Sequence, residues 1–360
     1  MCIRDSSNIT FLDLSLGAAI LFFGISVIIC TFLVIRRILK NYIKNKDLKE
    51  IHNFEAGVNR ILASHANDIS DAQFNIENKP VFNEVILRYF RMLDGEPAKT
   101  LKSIIEFLDF EPHIRTSTQS GTVGRRMEAM QILSYLDTQS SLVTIHEGLS
   151  SSKKYIRLTA ARCLTRRKAR IFLDDIVSSI DFAFPADPQI LADILYRFGS
   201  SVTPQLETYI QDTPSNNVKA ACLEALVLLM PPQTSLDLSQ LMDNPDEHVR
   251  AATVSFSEVT SHRSKEDILF KGLSDSATKV KIRASKIAYK TKRTDTISLL
   301  FKLTQDPLLW VRYWSIKAIW NSGRQGRKLV ETIAKGDDAA GLMARGVSLE
   351  DSYVPQRQAS

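Results

Sequence analysis

Leu241 to Phe256 reads LMDNPDEHVRAATVSF, and its centre decides the fold: Val249-Arg250, with Val254 five places after the first valine. The same phrase of an aliphatic residue, a base and a later apolar residue recurs along the chain. It reads Ile156-Arg157 with Ala161, Val218-Lys219 with Leu223, Ile282-Arg283 with Ile287, and Val311-Arg312 with Ile316. The spacings are 62, 31, 33 and 29 residues, and the first is two periods of 31. Gly124-Arg125 with Ala129 and Ala344-Arg345 with Leu349 extend the series more weakly at both ends. A fixed period of this size marks a solenoid, in which each unit buries its apolar face only by stacking on its neighbours.

The flanks of the phrase agree. Asp212, Asp243, Asp275 and Asp306 each precede a repeat of it, in a turn where the carboxylate can cap the next helix or accept from a neighbouring base. Stacking then predicts ladders of acids and bases along the array. Pro188, Pro214, Pro245 and Pro307 fall at turns or helix starts, where the missing N–H does no harm. The stretch Ala186 to Phe198 keeps the unit length without the aliphatic-basic pair, and His113 to Gly124 (HIRTSTQSGTVG) reads as a polar loop at one rim. With 360 residues, 44% apolar content, 14 glycines and few period-two runs, the chain reads as nearly all helix.

Units such as Leu241–Phe256 and LTQDPLLWVRYWSIKAI (Leu303 to Ile319) resemble HEAT repeats of the bacterial, phycobilisome-lyase-like kind, over about residues 97–350. The resemblance implies an all-α fold: an α-solenoid of HEAT-like helical hairpins over 80–350, here preceded by one transmembrane helix. It does not imply one function, since the family includes scaffolds, lyases, a metal hydroxylase and nucleic-acid enzymes. Similar proteins accompany envelope or polysaccharide-synthesis enzymes, which makes a membrane enzyme complex a candidate partner.

The start of the chain has its own logic. Met1 to Ser6 (MCIRDS) resembles the translated end of a sequencing-library adapter and is set aside from fold reasoning. Leu14 to Ile35 holds no charged residue, and roughly 30 Å of helix suffices to cross a hydrocarbon core, so residues 14–36 are expected to span a membrane. Arg36, Arg37, Lys40, Lys44, Lys46 and Lys49 follow it against Asp13 before it. The positive-inside rule then puts the solenoid in the cytoplasm, at a bacterial inner membrane, and the stretch Arg36–Lys49 can lie on anionic lipid headgroups. Residues 37–79 read as a juxtamembrane helix and a polar linker, and 351–360 as a frayed tail.

Chemistry is sparse in the motifs. A metal hydroxylase of the HEAT kind would carry repeated His-Glu dipeptides, and this chain has His146-Glu147 alone, with its six histidines scattered. Gly121 to Gly124 lacks the Lys-Ser/Thr of a phosphate loop, and no Gly-x-Ser-x-Gly elbow occurs. Cys163 and Cys222 fall on repeat helices and read as small core residues. No cofactor, metal or catalytic residue is assigned, and the chain is read as a scaffold or adaptor, not an enzyme. The alternatives are a lyase-like enzyme holding a ligand in the concave groove, and a binder of anionic lipid or nucleic acid. The net charge of +6 is too mild to point to nucleic acid.

Two surface features carry the binding expectation. Between Lys153 and Arg170 lie eight bases without an acid until Asp174, and a second basic run covers Lys279 to Arg293. Solvated faces and repeat-ladder bases account for such runs more often than a binding strip does. All three tryptophans, Trp310, Trp314 and Trp320, fall in one repeat. They fill the core there or, if exposed beside Arg312, form a hot spot. The residues assigned to partner contact are Arg157, Arg162, Arg166, Lys219, Arg250, Arg283, Trp310, Arg312 and Trp314.

Overall fold

The computed structural model describes residues 11–64, 79–184 and 187–353, and every helix or strand among them is helical. The stretch expected to be an adapter end, Met1–Ser6, and most of the stretches expected to be a linker and a tail, 65–78 and 354–360, lie outside the described residues. Two compact units divide the chain, Met1–Gly121 and Thr122–Ser360.

In the first unit, α1 (Phe11–Ser64) is a single helix of 54 residues, roughly 80 Å at 1.5 Å per residue. Leu21–Ile38 within it is long and apolar enough to cross a bilayer, and none of it is packed inside the protein. The last turns behave differently. Phe54, Val58 and Ile61 are buried against α2 (Lys79–Met92), with the Phe54 and Phe82 rings 4.9 Å apart. Tyr89 donates to Asn59 Oδ1 at 3.0 Å across the same contact. One continuous helix thus changes from a wholly exposed apolar surface to an amphipathic one.

After α3 (Glu96–Phe107), the stretch read as a polar loop is helix: α4 spans Glu111–Gln119. Its hydroxyls turn inward on their own backbone. Thr116 donates to the Pro112 carbonyl at 3.0 Å, Ser117 to that of His113 at 2.9 Å and Thr118 to that of Arg115 at 2.7 Å. Ile114 and Thr118 are buried. A polar composition therefore coexists with a helix because the side chains satisfy themselves locally.

The second unit begins with α5 (Val123–Leu133) and continues as seven helical pairs. These are α6 (Gln139–Glu147) with α7 (Lys154–Arg166), α8 (Leu173–Ala183) with α9 (Pro188–Tyr196), and α10 (Thr203–Asp212) with α11 (Asn216–Leu229). Then come α12 (Leu238–Met242) with α13 (Glu247–Val259), α14 (Lys265–Leu273) with α15 (Thr278–Thr291), α16 (Ile297–Leu303) with α17 (Leu309–Asn321), and α18 (Arg324–Ile333) with α19 (Ala339–Tyr353). Each second helix packs on its own first helix and on the second helices before and after it. This is an α-solenoid of stacked helical hairpins.

The period is stricter than the sequence phrase suggested. Val218, Val249, Val280 and Val311 are all buried and all 31 residues apart, whereas Ile282 is only half-buried. The aliphatic-basic pair of the α15 repeat is therefore Val280-Lys281, not Ile282-Arg283. Each fully buried valine contributes about 1.5–3 kcal/mol by leaving water. The turns repeat with the same step. Thr213, Asn244, Asp275 and Asp306 accept the N–H two residues on, from Ser215, Asp246, Ala277 and Leu308, at 3.2, 2.8, 2.7 and 2.9 Å.

Candidate partner-binding face

The ladder bases are structural. Arg250 reaches back to the carbonyls of Asn244 and Pro245 at 2.8 and 2.9 Å and forward to both oxygens of Asp275. Lys281 pairs with Asp306 one period later. Burial works against both carboxylates. At Asp275 the Arg250 hydrogen bonds, the Ala277 N–H and the charges of Arg250 and Lys281 outweigh it, and its pKa is lowered. At Asp306 the Lys281 hydrogen bond, the Leu308 N–H and the charges of Lys281 and Arg312 do the same. Arg312 holds the carbonyls of Asp306 and Pro307 at 2.7 and 2.9 Å. These donors satisfy carbonyls of the turns between one helix and the next.

The basic run on α7 is used in the same way. Arg157 is buried, donates to the Ser151 carbonyl and stacks over Phe182 at 5.4 Å. Arg166 lies over the Tyr135 ring at 4.4 Å and donates to Ser134 Oγ at 2.9 Å, while Arg167 takes the Leu136 carbonyl. Arg162 is exposed, 3.9 Å from Asp193. Lys219 is half-buried beside Asp237 and Asn244 at a small cavity. These side chains lie on α7 and α11, away from the tryptophans of α17, so the structure does not gather the assigned residues into one site.

What it does gather lies on the facing surfaces of α15, α17 and α19. Trp314 is half-buried, edge-to-face with Tyr289 at 6.0 Å and with Tyr313 at 5.3 Å, and Lys286 lies over its ring at 4.8 Å. Lys317 donates to the Tyr313 oxygen at 2.6 Å and to Glu350 Oε2 at 2.9 Å. Burial alone would lower the Lys317 pKa, but that oxygen and that carboxylate raise it above the ordinary lysine value. Arg283, displaced from the ladder by the register, reaches Ser255 Oγ at 3.1 Å and Glu224 at 2.9 Å, across two second helices. No sequence pattern marks Glu224 or Glu350, which are 59 and 33 residues from the bases they meet.

Trp310 is not a core residue: it is 59% exposed at the start of α17, its ring edge-on to Tyr313 at 5.7 Å. Leu308 and Leu309 beside it are 48% and 50% exposed. In the three preceding repeats the same positions hold Ser215-Asn216-Asn217, Asp246-Glu247-His248 and Ala277-Thr278-Lys279.

Other groups are less promising as chemistry. His146 pairs with Asp175 at 2.8 Å and stacks on Phe172. Burial pushes the Cys163 thiol up to about 11 and raises that of Cys222 as well, so neither is a ready nucleophile. Among the described residues, no three or more His, Cys, Asp and Glu side chains come together to hold a metal ion. A cavity of about 250 Å³ is lined by Ser257, Glu258, Lys265, Leu269, Ile287, Thr291 and Arg293. In it Lys265 is 3.4 Å from the Glu258 carboxylate.

No protein-family profile matches this chain, and no curated protein matches it. Among solved structures it is similar to human deoxyhypusine hydroxylase in complex with glycerol, at 14% identity and a TM-score of 0.29, covering 68% of this chain and 98% of that one. That protein is an enzyme, so the reading of this chain as not an enzyme does not stand. A likeness at this level carries nothing about a reaction, a substrate or a metal.

Proposed function

We propose that the chain is a membrane-anchored HEAT-like repeat protein that holds an acidic segment of a partner protein along the second-helix surface of α15 and α17. The observation that carries this is the charge of those helices. α15 bears Lys279, Lys281, Arg283, Lys286 and Lys290 and no acid, and α17 bears Arg312 and Lys317 and no acid. Lys281, Arg283, Arg312 and Lys317 are engaged by neighbouring repeats or their own turns, while Lys286 lies on an indole and Lys290 is exposed. A partner carboxylate meeting these lysines beside Tyr289 and Trp314 would gain charge pairing over an aromatic floor.

The exposed apolar surface of Leu21–Ile38 supports anchoring, and Arg36 and Arg37 at its end, with Lys49 beyond it, support an orientation with the array on the cytoplasmic side of a bacterial inner membrane. A partner in an envelope or polysaccharide-synthesis complex fits that location. Replacing Lys286→Glu together with Lys290→Glu is the test. The full-length variant is expected to keep its melting temperature and lose the proteins that co-purify with it from membranes. Unchanged co-purification would overturn the proposal.

A second reading rests on a different observation, the cavity at Glu258. Its converging Glu258, Lys265 and Arg293 side chains over Leu269 and Ile287 suit a small ligand with both charged and apolar parts, as an enzyme of the lyase-like class would need. A ligand that raises the melting temperature of the wild-type chain but not of Glu258→Gln would support it. Ligands that act equally on both would not.

A further inference from the structure

Of the four equivalent turns from Ser215 to Trp310, Leu308-Leu309-Trp310 is the one that sets three large apolar residues in succession at exposed positions. Ser215 caps α11 by accepting the Val218 N–H at 3.3 Å, and Asp246 caps α13 by accepting those of His248 and Val249 at 2.8 and 3.3 Å. Ala277 and Leu308, at the equivalent places, have no side chain able to accept, so neither α15 nor α17 has a side-chain cap, but Ala277 is followed by polar Thr278 and Lys279 where Leu308 is followed by Leu309 and Trp310. Polar caps are strongly preferred over leucine there. Three apolar residues in succession at exposed positions are a local inconsistency of the kind that function explains. Trp310 sets its ring edge-on to Tyr313 and still keeps 59% of its surface exposed.

We propose that this turn enters the boundary between headgroups and acyl chains of the bilayer that holds the same chain, giving the array a second point of membrane contact. The proposal rests on the anchor reading above. Three observations select lipid over protein as the occupant. The three apolar side chains stand exposed in succession at a helix start, so they can enter a fluid layer together. Tryptophan favours the membrane interface, where its apolar body and its N–H are both accommodated. Lys302, exposed on α16, can meet lipid phosphates, and so can Lys279 on α15, whose Nζ lies 3.1 Å from His248 and 4.0 Å from Glu247; the adjacent Asp306 is neutralised by Lys281, and Asp338 is engaged by the Gly341 N–H and the Gln305 amide.

The test uses the full-length chain in vesicles of phosphatidylcholine and phosphatidylglycerol, with plain or brominated acyl chains. One variant keeps Trp310 alone (W314F with W320F), and a control keeps Trp320 alone (W310F with W314F). Bromine is expected to cut the Trp310 emission by about half, as for a side chain at interfacial depth, and to leave Trp320 nearly unchanged. The quenching should vanish when Leu308→Ser and Leu309→Ser are added, with the melting temperature retained. Equal emission in the two kinds of vesicle, from protein that floats with them, overturns this proposal and leaves the anchor intact. Shielding of Trp310 from acrylamide without quenching by bromine would assign the turn to a protein surface, such as a second copy, and also overturns it. Protein that fails to float removes the anchor, and this inference with it.

Discussion

Arg250 meets Asp275 side-on, Nε to one oxygen at 2.8 Å and Nη2 to the other at 2.9 Å, across the boundary between one repeat and the next. Both side chains are largely withdrawn from water. Lys281 and Asp306 repeat the relationship one period later. These pairs tie together units that no long-range strand pairing or disulfide joins, and they fix the register of the stack.

Arg250→Ala should therefore cost about 3 kcal/mol, because it leaves a nearly buried carboxylate without its ion-pair partner and two turn carbonyls without their donor. Urea unfolding of the variant against wild type measures it. Arg162→Ala, which removes an exposed base 3.9 Å from its acid, should change stability by less than about 1 kcal/mol.

The same pairs make stability depend on pH. Asp275 and Asp306 titrate below their ordinary value in the folded chain. Their contribution is complete above the ordinary carboxylate range and is lost as the pH falls through the lowered folded values. The melting temperature should fall on acidification in that window, and the fall should be shallower in a variant carrying Asp275→Asn and Asp306→Asn. An identical slope in that variant would remove the ladder from the explanation.

The register offers a sharper comparison. Val280→Ala removes a wholly buried side chain and should cost about 2 kcal/mol, and Ile282→Ala, half-exposed, clearly less despite losing more atoms. The reverse order would restore the pairing read from Ile282-Arg283.

Gly326 allows α18 to lie against the end of α17. A Cβ there would stand 1.9 Å from the Ile319 carbonyl oxygen and 2.3 Å from Ser322 Oγ. Gly326→Ala should cost about 1–3 kcal/mol through forced backbone movement, although alanine is the better helix former. A stabilised variant would contradict the close approach.

The sequence made the solenoid legible because Val218, Val249 and Val311 keep their spacing, and buried aliphatic positions vary little in what they can hold. It misplaced the α15 repeat because Val280-Lys281 has Ser285 at the fifth place where Ile282-Arg283 has Ile287, so the phrase favours the second pair while burial picks out the first. It read α4 as a loop because hydroxyl-rich stretches usually favour turns, and the bonds from Thr116, Ser117 and Thr118 to their own turn are visible only in three dimensions. The charged face was half legible. Runs of Lys and Arg stand out, but their occupants, the carbonyls of Ser151, Leu136 and Pro307, carry no sequence mark. Nor does a list of residues say that Trp310 is outside while Trp314 is half in.

The central claim, that a partner lies on the second-helix surface of α15 and α17, is tested most directly by site-specific photocrosslinking in native membranes. A benzophenone amino acid at Lys290 should give one discrete adduct with another protein. The same group at Lys271, exposed on first helix α14, should give none. Adducts of equal yield at both positions, or none at Lys290, would contradict the account.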